Sequence, residues 1–511
     1  MRVPSVAVSV SANIIANVAA RVWIGGLQLI FVPVYLRLLG SESYGLVGFY
    51  VTLVTATIFL DSGISPVLMR EFARLRHKAD SASEMRGLLF NLECLSLGTA
   101  LAIGAALVLL ARTIALHWLG TVSLSTSDTS RAVALMGLSL ACQWPGMLYA
   151  SGLIGLQRQD WLMRLRIVGG TVQWAGGAAI LWLVAPRVDL LLLWQAGALA
   201  LLSALSRWAL WRQLPLSPER LRFDLSRLHG LWRYGAGMLS IGVTYSIMMQ
   251  ADKLVVSSFL PLDRFAAYSL TFTAASLIPV FVAQPVGFAV MPHLVRLYLD
   301  GDERGLAREY HRWTQVTAVL SLPAAGVLCA FARPLVEIWL GKTSPMVDEV
   351  TELLPWAAMG NLLYTLYIIP TRLQAAAAWT RLSFLINAVV IAVGLPALLI
   401  GVPRVGPVAG VGYWLGLNAG TLLIGTIFMH RRLLQSELVR WWSFDVLLPS
   451  AIAALLLFLS TRLSPPGQGY WDGVLQAAAT AAAVSTALAA VLPYPRQMLT
   501  ILFWRTLRAF G

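Results

Sequence analysis

The chain has 511 residues, of which 58% are hydrophobic and only 12% charged, with a mean hydropathy of +0.73. A soluble globular chain needs about 25% charged residues to solvate its surface. Half that share excludes a soluble protein, a disordered chain and a disulfide scaffold, and leaves a polytopic membrane protein. A net charge of +14 in a soluble protein would point to nucleic acid. Here it follows from basic residues gathered in short cytoplasmic loops, so no nucleic-acid partner is expected.

A hydrocarbon core of about 30 Å takes about 20 apolar helical residues. Fourteen such runs are predicted, at approximately 12–38, 44–69, 86–111, 131–153, 165–185, 190–211, 234–259, 265–290, 313–340, 351–371, 382–401, 409–429, 444–462 and 473–492. Residues Met1–Asn13 lack an apolar core with a small-residue cleavage site, so no cleaved signal peptide is expected. With the N-terminus inside, 27 of the 38 basic residues fall on the cytoplasmic side and 9 on the other. That bias places both termini in the cytoplasm. No connection is long enough to fold alone, and no HExxH, P-loop or GxSxG motif occurs. Enzymatic chemistry, a cofactor and a metal site are therefore not expected. Cys94, Cys142 and Cys329 lie in separate apolar runs, without metal spacing, and read as small buried hydrophobes.

The chain repeats at an offset of 221 residues: Ala111-Arg112 to Trp118-Leu119-Gly120 returns as Ala332-Arg333 to Trp339-Leu340-Gly341. Leu156-Gln157 and Arg164-Leu165 return as Leu373-Gln374 and Arg381-Leu382 at an offset of 217. Six spans separate each pair, an even number, so the repeat is parallel, about an axis along the membrane normal. The expected architecture is all-α: two pseudo-symmetric six-helix lobes plus two C-terminal helices. Residues 1–212 form the N-terminal lobe, 213–233 a cytoplasmic linker, 234–430 the C-terminal lobe, and 431–511 the extra helices 13 and 14 with a basic tail. A two-lobed repeat without a catalytic domain describes a transporter. Helices 1, 2, 7 and 8 are expected to line its cavity.

Ionisable side chains inside spans are costly and mark function by default. Asn13, Asn17 and Arg21 recur every four residues along one face of the first helix. Arg21 and Asp61 both lie about nine residues, roughly 14 Å, from the cytoplasmic boundary, and Glu93 lies at similar depth. Two readings stand: a structural Arg21–Asp61 pair, or an Arg21 that binds an anionic headgroup while a carboxylate exchanges with it or carries a proton. In the seventh helix Lys253 shares a face with Gln250, and Asp252 with Tyr245. Consecutive residues point about 100° apart, so Asp252 and Lys253 are not expected to face one partner. Their repeat equivalents are Phe31 and Val32, so these charges break the pseudo-symmetry. Asn361 and Asn418 are expected to bond between helices. Arg112 and Arg333, at equivalent outward helix ends, form an exit-side pair or snorkelling anchors.

The run Val32-Pro33-Val34-Tyr35-Leu36-Arg37-Leu38-Leu39-Gly40-Ser41-Glu42-Ser43-Tyr44-Gly45 is similar to the first-hairpin signature of bacterial polysaccharide transporters. Leu60-Asp61-Ser62-Gly63-Ile64, followed by Arg70-Glu71-Phe72-Ala73-Arg74, resembles the end of their second helix. These are the O-antigen and capsule repeat-unit flippases of the multidrug/oligosaccharidyl-lipid/polysaccharide exporter superfamily. The resemblance implies movement of an undecaprenyl-pyrophosphate-linked glycan across the bacterial inner membrane, with membrane lipids and the polymerase and chain-length machinery of the same pathway as partners. On it rest the assignments of Arg21, Asn13, Asn17, Lys253, Gln250 and Tyr245 to substrate, and of Asp61, Glu93 and Asp252 to coupling or gating. The family's cavity is strongly cationic, whereas Arg21 and Lys253 face three in-span carboxylates here, which argues against an acidic glycan. Lipid II transport and a cation-coupled multidrug antiporter of the same superfamily are the alternatives. A membrane glycan polymerase or acyltransferase is disfavoured by the missing outward loop.

Overall fold

The computed structural model describes residues 10–76, 78, 81–218, 221–463 and 471–497, and they are almost entirely helical. In hydrocarbon no water is at hand for backbone N–H and C=O groups, so a spanning segment must satisfy them within itself. Buried hydroxyls follow the same rule: Thr52, Thr271, Thr314 and Thr426 each donate to the carbonyl four residues earlier. By packing, the chain divides into two compact units, Met1–Ala266 and Ala267–Gly511.

The first unit holds α1 (Val10–Leu39), α2 (Ser41–Leu60), α3 (Ser65–Leu75), α4 (Ala82–His117), α5 (Thr126–Gly155), α6 (Gln159–Leu183), α7 (Val188–Gln213) and α8 (Leu225–Phe259). α5 is its hub, packed against α4, α7, α3 and α2. Where α5 crosses α4, Gly137 and Gly104 let the backbones approach. α1 packs on α6 through Tyr35, whose hydroxyl donates to the Trp174 carbonyl at 2.7 Å while the two rings stack at 5.5 Å.

Two features differ from the sequence expectation. The second span does not run unbroken to residue 69. It ends at Leu60, passes through a 3-10 turn at Asp61–Gly63, and restarts as α3 with Pro66 in its first turn. α3 is amphipathic: Val67, Leu68, Phe72 and Leu75 are buried, and Gly155 of α5 sits against Met69 and Phe72. Its polar side is tied to α4 by Arg74, which bonds Glu71 of its own helix at 2.8 Å and Glu84 of α4 at 3.3 Å, and Lys78 just beyond α3 bonds Glu84 at 2.8 Å. Secondly, α8 begins at Leu225, ahead of the expected start of the seventh span at residue 234, and packs against α2; the division by packing falls at 266/267.

Three close approaches set the α2–α8 register. Gly63 lies on Gly235, the Ser246 hydroxyl donates to the Ala56 carbonyl at 3.3 Å, and Gly45 meets the backbone of Leu262 just past α8. The two helices are therefore antiparallel. The hairpin between α1 and α2 turns at Gly40, where φ is +80° and only glycine is unstrained. Beside it, the Glu42 carboxylate accepts from the backbone N–H groups of Val122 and Ser123 and from the Ser123 hydroxyl. The first-hairpin signature thus has a local structural job, pinning the loop after α4.

The second unit begins within α9 (Leu262–Ala275), which passes through a π-helical segment at Pro279–Ala283 into α10 (Gln284–Leu299). There follow α11 (Glu303–Ala330), α12 (Ala332–Leu340), α13 (Val347–Leu366), α14 (Ile368–Ala376), α15 (Thr380–Val405), α16 (Pro407–Leu433), α17 (Leu438–Arg440), the π-helical Trp441–Leu447, α18 (Leu448–Leu463) and α19 (Asp472–Val491). α13 lies between α11 and α16, and the C-terminal helices α18 and α19 pack on α11 and on each other. Gln476 donates to the Ser460 carbonyl at 2.9 Å, and the Ser460 and Thr480 hydroxyls share a bond of 2.6 Å.

Twelve helical segments among the described residues are long and apolar enough to cross a membrane. The other two expected spans fall on α6 and α8. Both are helices, but Arg164, Arg166 and Gln173 in α6, and Gln250, Asp252 and Lys253 in α8, make them less apolar.

A Cβ on residue 45 would stand 2.2 Å from the Leu262 carbonyl oxygen, which is fixed backbone. Gly45→Ala is therefore expected to cost about 1–3 kcal/mol and to lower the thermal midpoint of the purified protein. Gly98→Ala, with open space around it, should leave the midpoint unchanged or raise it. Equal midpoints for the two variants would contradict the α2–α8 register.

Candidate functional site

The polar residues of the first unit form two groups. The first lies along the α2–α8 seam. Asp61 sits in the turn that breaks the second span, is buried, and its Oδ1 has no hydrogen-bond partner among the described residues. With Ala56 level with Ser246, Asp61 lies about 8 Å to one side along the axis, and Gln250 about 6 Å to the other. Gln250 is buried, and its Oε1 has no partner among the described residues. Beyond it lie Asp252 and Lys253, with Tyr245 half-buried on the same helix. The seam therefore carries polar groups at several depths.

Asp252 and Lys253 bond to each other, which the expectation that they do not face one partner left open. The Lys253 ammonium lies 3.2 and 3.0 Å from the two Asp252 carboxylate oxygens. A four-carbon stem is long enough to curl across the 100° between them. Asp252 is fully buried, so its charge is matched by the nearest available cation. Asn13, Asn17 and Arg21 lie in α1, and their side chains are outside the described residues.

The second group is centred on Glu93 of α4, which is buried. It accepts from the Tyr149 hydroxyl of α5 at 2.9 Å, from the Trp211 indole of α7 at 3.1 Å, and from the Arg207 guanidinium of α7. Three helices are tied through one carboxylate. Arg207 lies within the sixth expected span, and the sequence reading left it among the cytoplasmic residues. It neutralises Glu93, so the excess of embedded carboxylates read from sequence disappears once this partner is counted. The signal was present: Arg207 is set four residues before Trp211 on one helical face.

In the second unit the sequence reading missed a buried cluster. His311 of α11 lies between Asp445 and Glu437, with Nε2 3.0 Å from Glu437. Gln315 donates to Asp445 at 2.8 Å and accepts from the backbone N–H of Tyr494 at 3.3 Å. Trp441 donates to Thr314 at 3.3 Å. His430 meets Tyr310 edge-on at 5.4 Å and lies tilted against Trp441 at 5.7 Å. The π-helical segment rotates Asp445 inward, where His311 meets it. Asn361 and Asn418 bond to carbonyls four residues back on their own helices, not between helices.

Arg112 is exposed and has no ion pair among the described residues. Its repeat equivalent Arg333 opens the separate helix α12 and bonds Asp348 at 2.6 Å and Glu337 at 3.4 Å. α4 runs unbroken through the first copy of this motif, whereas α11 breaks at Phe331 before the second. The three cysteines are free and half-buried, and no cluster with metal-binding character occurs among the described residues.

A many-helix membrane protein with paired charges inside its helical units belongs to the transporter class. Comparisons with known proteins narrow this. Residues 10–298, more than half the chain, match the family described as "Polysaccharide biosynthesis protein", and residues 241–400 match the MatE family. The chain belongs to the polysaccharide biosynthesis protein family, within the superfamily of multidrug and lipid-linked oligosaccharide exporters. It is 26% identical over 339 residues to the succinoglycan biosynthesis transport protein ExoT of Rhizobium meliloti (strain 1021). That match covers 65% of this chain and 63% of the relative, so the chain spans under two thirds of the length of the curated relative it matches. Its fold is similar to the lipid II flippase MurJ in an inward closed conformation, with TM-score 0.72, 14% identity, and coverage of 95% of this chain and 99% of that one. It is also similar to an inward-facing multidrug resistance transporter of the MATE family, with TM-score 0.66, 13% identity, and coverage of 83% and 99%.

The Glu93 network sets up a double-mutant cycle. Arg207→Ala leaves a buried carboxylate with two neutral donors, whereas Glu93→Gln with Arg207→Ala removes the charge altogether. The single Arg207 variant is expected to lose about 1–3 kcal/mol of stability, and the double variant less. Additive losses in thermal unfolding would show that the pair is not coupled.

Proposed function

We propose that the protein carries a polyprenyl-pyrophosphate-linked oligosaccharide, an O-antigen, capsule or exopolysaccharide repeat unit, from the cytoplasmic to the periplasmic leaflet of the bacterial inner membrane. The observation that carries this reading is the family match over residues 10–298. The name of the Rhizobium relative, a transport protein of succinoglycan biosynthesis, and that of the MurJ lipid II flippase support the same substrate class. Transport proceeds by alternating access, without enzymatic chemistry. The pyrophosphate and sugars enter the polar interior from the cytoplasmic side while the prenyl tail stays in lipid.

A pyrophosphate carries about two negative charges, which fixed cations must offset on leaving water. In this reading Arg21, on the Asn13–Asn17–Arg21 face of α1, takes the headgroup, and Asp61 holds Arg21 or carries a coupling proton. Glu93 and Asp252 already have cationic partners in Arg207 and Lys253, which leaves Asp61 as the carboxylate for exchange with Arg21. A second reading, cation-coupled drug export, is favoured by one observation: the buried Asp61 Oδ1 has no hydrogen-bond partner among the described residues.

The test is complementation of a strain lacking its own repeat-unit transporter, with membrane levels measured alongside. Arg21→Ala is expected to abolish surface glycan at near-normal abundance, and Arg21→Lys to keep part of it, because charge matters more here than a bidentate fork. Asp61→Asn should lose activity completely if it carries protons and partly if it only holds Arg21. Full surface glycan from Arg21→Ala at normal abundance would overturn the headgroup role.

A further inference from the structure

A pocket of about 600 Å³ opens in the first unit, where α4 and α7 meet the segment after α7. It is lined by Arg86, Arg207, Arg212, Trp208, Trp211 and Leu216, among others. Its cations are held in an unusual way. The Arg86 guanidinium lies 5.1 Å over the Trp211 ring, and Arg212 lies 4.3 Å over Trp208, which itself meets Trp161 edge-on at 6.0 Å. Arg207 lies 5.8 Å from the other side of the network, at Trp211, and is bonded to Glu93. A cation over a ring uses the flat face of the guanidinium, so its N–H edge remains available to an acceptor. Neither Arg86 nor Arg212 meets a carboxylate among the described residues. Glu93 neutralises one of the three arginines, which leaves two without a carboxylate partner among the described residues.

The surroundings say which anion fits. Tryptophan is at home at the membrane–water boundary. On the orientation read from the basic-residue bias this end of α4 and α7 is cytoplasmic, and Leu216 at the rim is 89% exposed, an apolar side chain left uncovered. A freely soluble phosphate would gain nothing from the indoles and the leucine, whereas a lipid with a phosphate diester and two acyl chains uses both. Basic pockets between helices on the cytoplasmic side are the sites that take anionic headgroups.

We infer that this pocket is a binding site for an anionic glycerophospholipid of the cytoplasmic leaflet. Arg86 and Arg212 bond the phosphate oxygens, the indoles flank the glycerol region, and the acyl chains leave past Leu216 into the bilayer. Glu93 is a positioning residue here: it accepts directly from the Trp211 indole and so fixes the ring on which Arg86 rests. The inference does not depend on what the protein transports.

Native mass spectrometry of the purified full chain, titrated with phosphatidylglycerol or with phosphatidylcholine of the same acyl chains, tests it. The wild type is expected to retain phosphatidylglycerol in preference. Arg86→Gln with Arg212→Gln should weaken that binding about thirtyfold, and Arg212→Gln alone about fivefold, from about 1 kcal/mol per arginine near an anionic headgroup. Phosphatidylcholine binding should not change, and Arg431→Gln, an exposed arginine elsewhere, should behave as wild type. Elution profile and thermal midpoint show whether the double variant is folded, and the single variant carries the test if it is not. Equal retention of the two lipids by the wild type, or undiminished phosphatidylglycerol binding in folded variants, would overturn the assignment. Tighter retention of a polyprenyl pyrophosphate than of phosphatidylglycerol, lost in the double variant, would give the pocket to the transported lipid and overturn it equally.

Discussion

A charge in the middle of a hydrocarbon layer has no water to solvate it, and placing one there costs about 2.5–3.5 kcal/mol on insertion scales. Much of the arrangement of this chain follows from that cost. Glu93 is buried because Arg207, Tyr149 and Trp211 converge on it from two other helices. Asp252 is buried because Lys253 folds back over it. Asp445 is buried because a π-helical turn delivers it to His311 and Gln315. Each solution also joins elements: Glu93 ties α4, α5 and α7 together, and Asp445 fastens the C-terminal helices to α11. Removing one member of such a group strands its partner, so these charges hold the fold and are poorly suited to come and go with a transported ion.

Asp61 stands apart from that pattern. It lies where the second span breaks into a 3-10 turn, whose Gly63 meets the Gly235 carbonyl and the Leu239 side chain of α8, and its Oδ1 is unbonded among the described residues. A break in a spanning helix frees backbone groups that need other partners, and such breaks in membrane transporters line cavities.

The spans were legible in the sequence because hydrocarbon imposes one strong rule, a run of about 20 apolar residues, and polar loops between them are short. α3 was not legible as a helix, since Arg70, Glu71 and Arg74 read as a cytoplasmic loop. Its buried face appears only when Val67, Leu68, Phe72 and Leu75 are taken at helical spacing. Glu93 was found, but its partner was not, because Arg207 sits near a span end where the positive-inside rule already accounts for arginines. Asp252 and Lys253 were both found, but their bond to each other was not, because direction at Cβ was weighed and side-chain reach was not. His311 and Asp445 were missed for a different reason: they are 134 residues apart, each near a span boundary, and only packing brings them together. Local pattern shows where helices lie. Which helix neutralises which charge is a tertiary fact.

The central claim is that the polar interior carries a glycan linked to lipid through an anionic pyrophosphate and not a free cationic drug. The most direct measurement places the purified protein in liposomes that hold a polyprenyl-pyrophosphate oligosaccharide in the inner leaflet, and follows the appearance of the sugar outside with a membrane-impermeant lectin or glycosidase. The account predicts appearance of the glycan that depends on the protein and is abolished by Arg21→Ala. Liposomes in which the glycan stays inside, while a cationic dye is moved by the same protein, would contradict it.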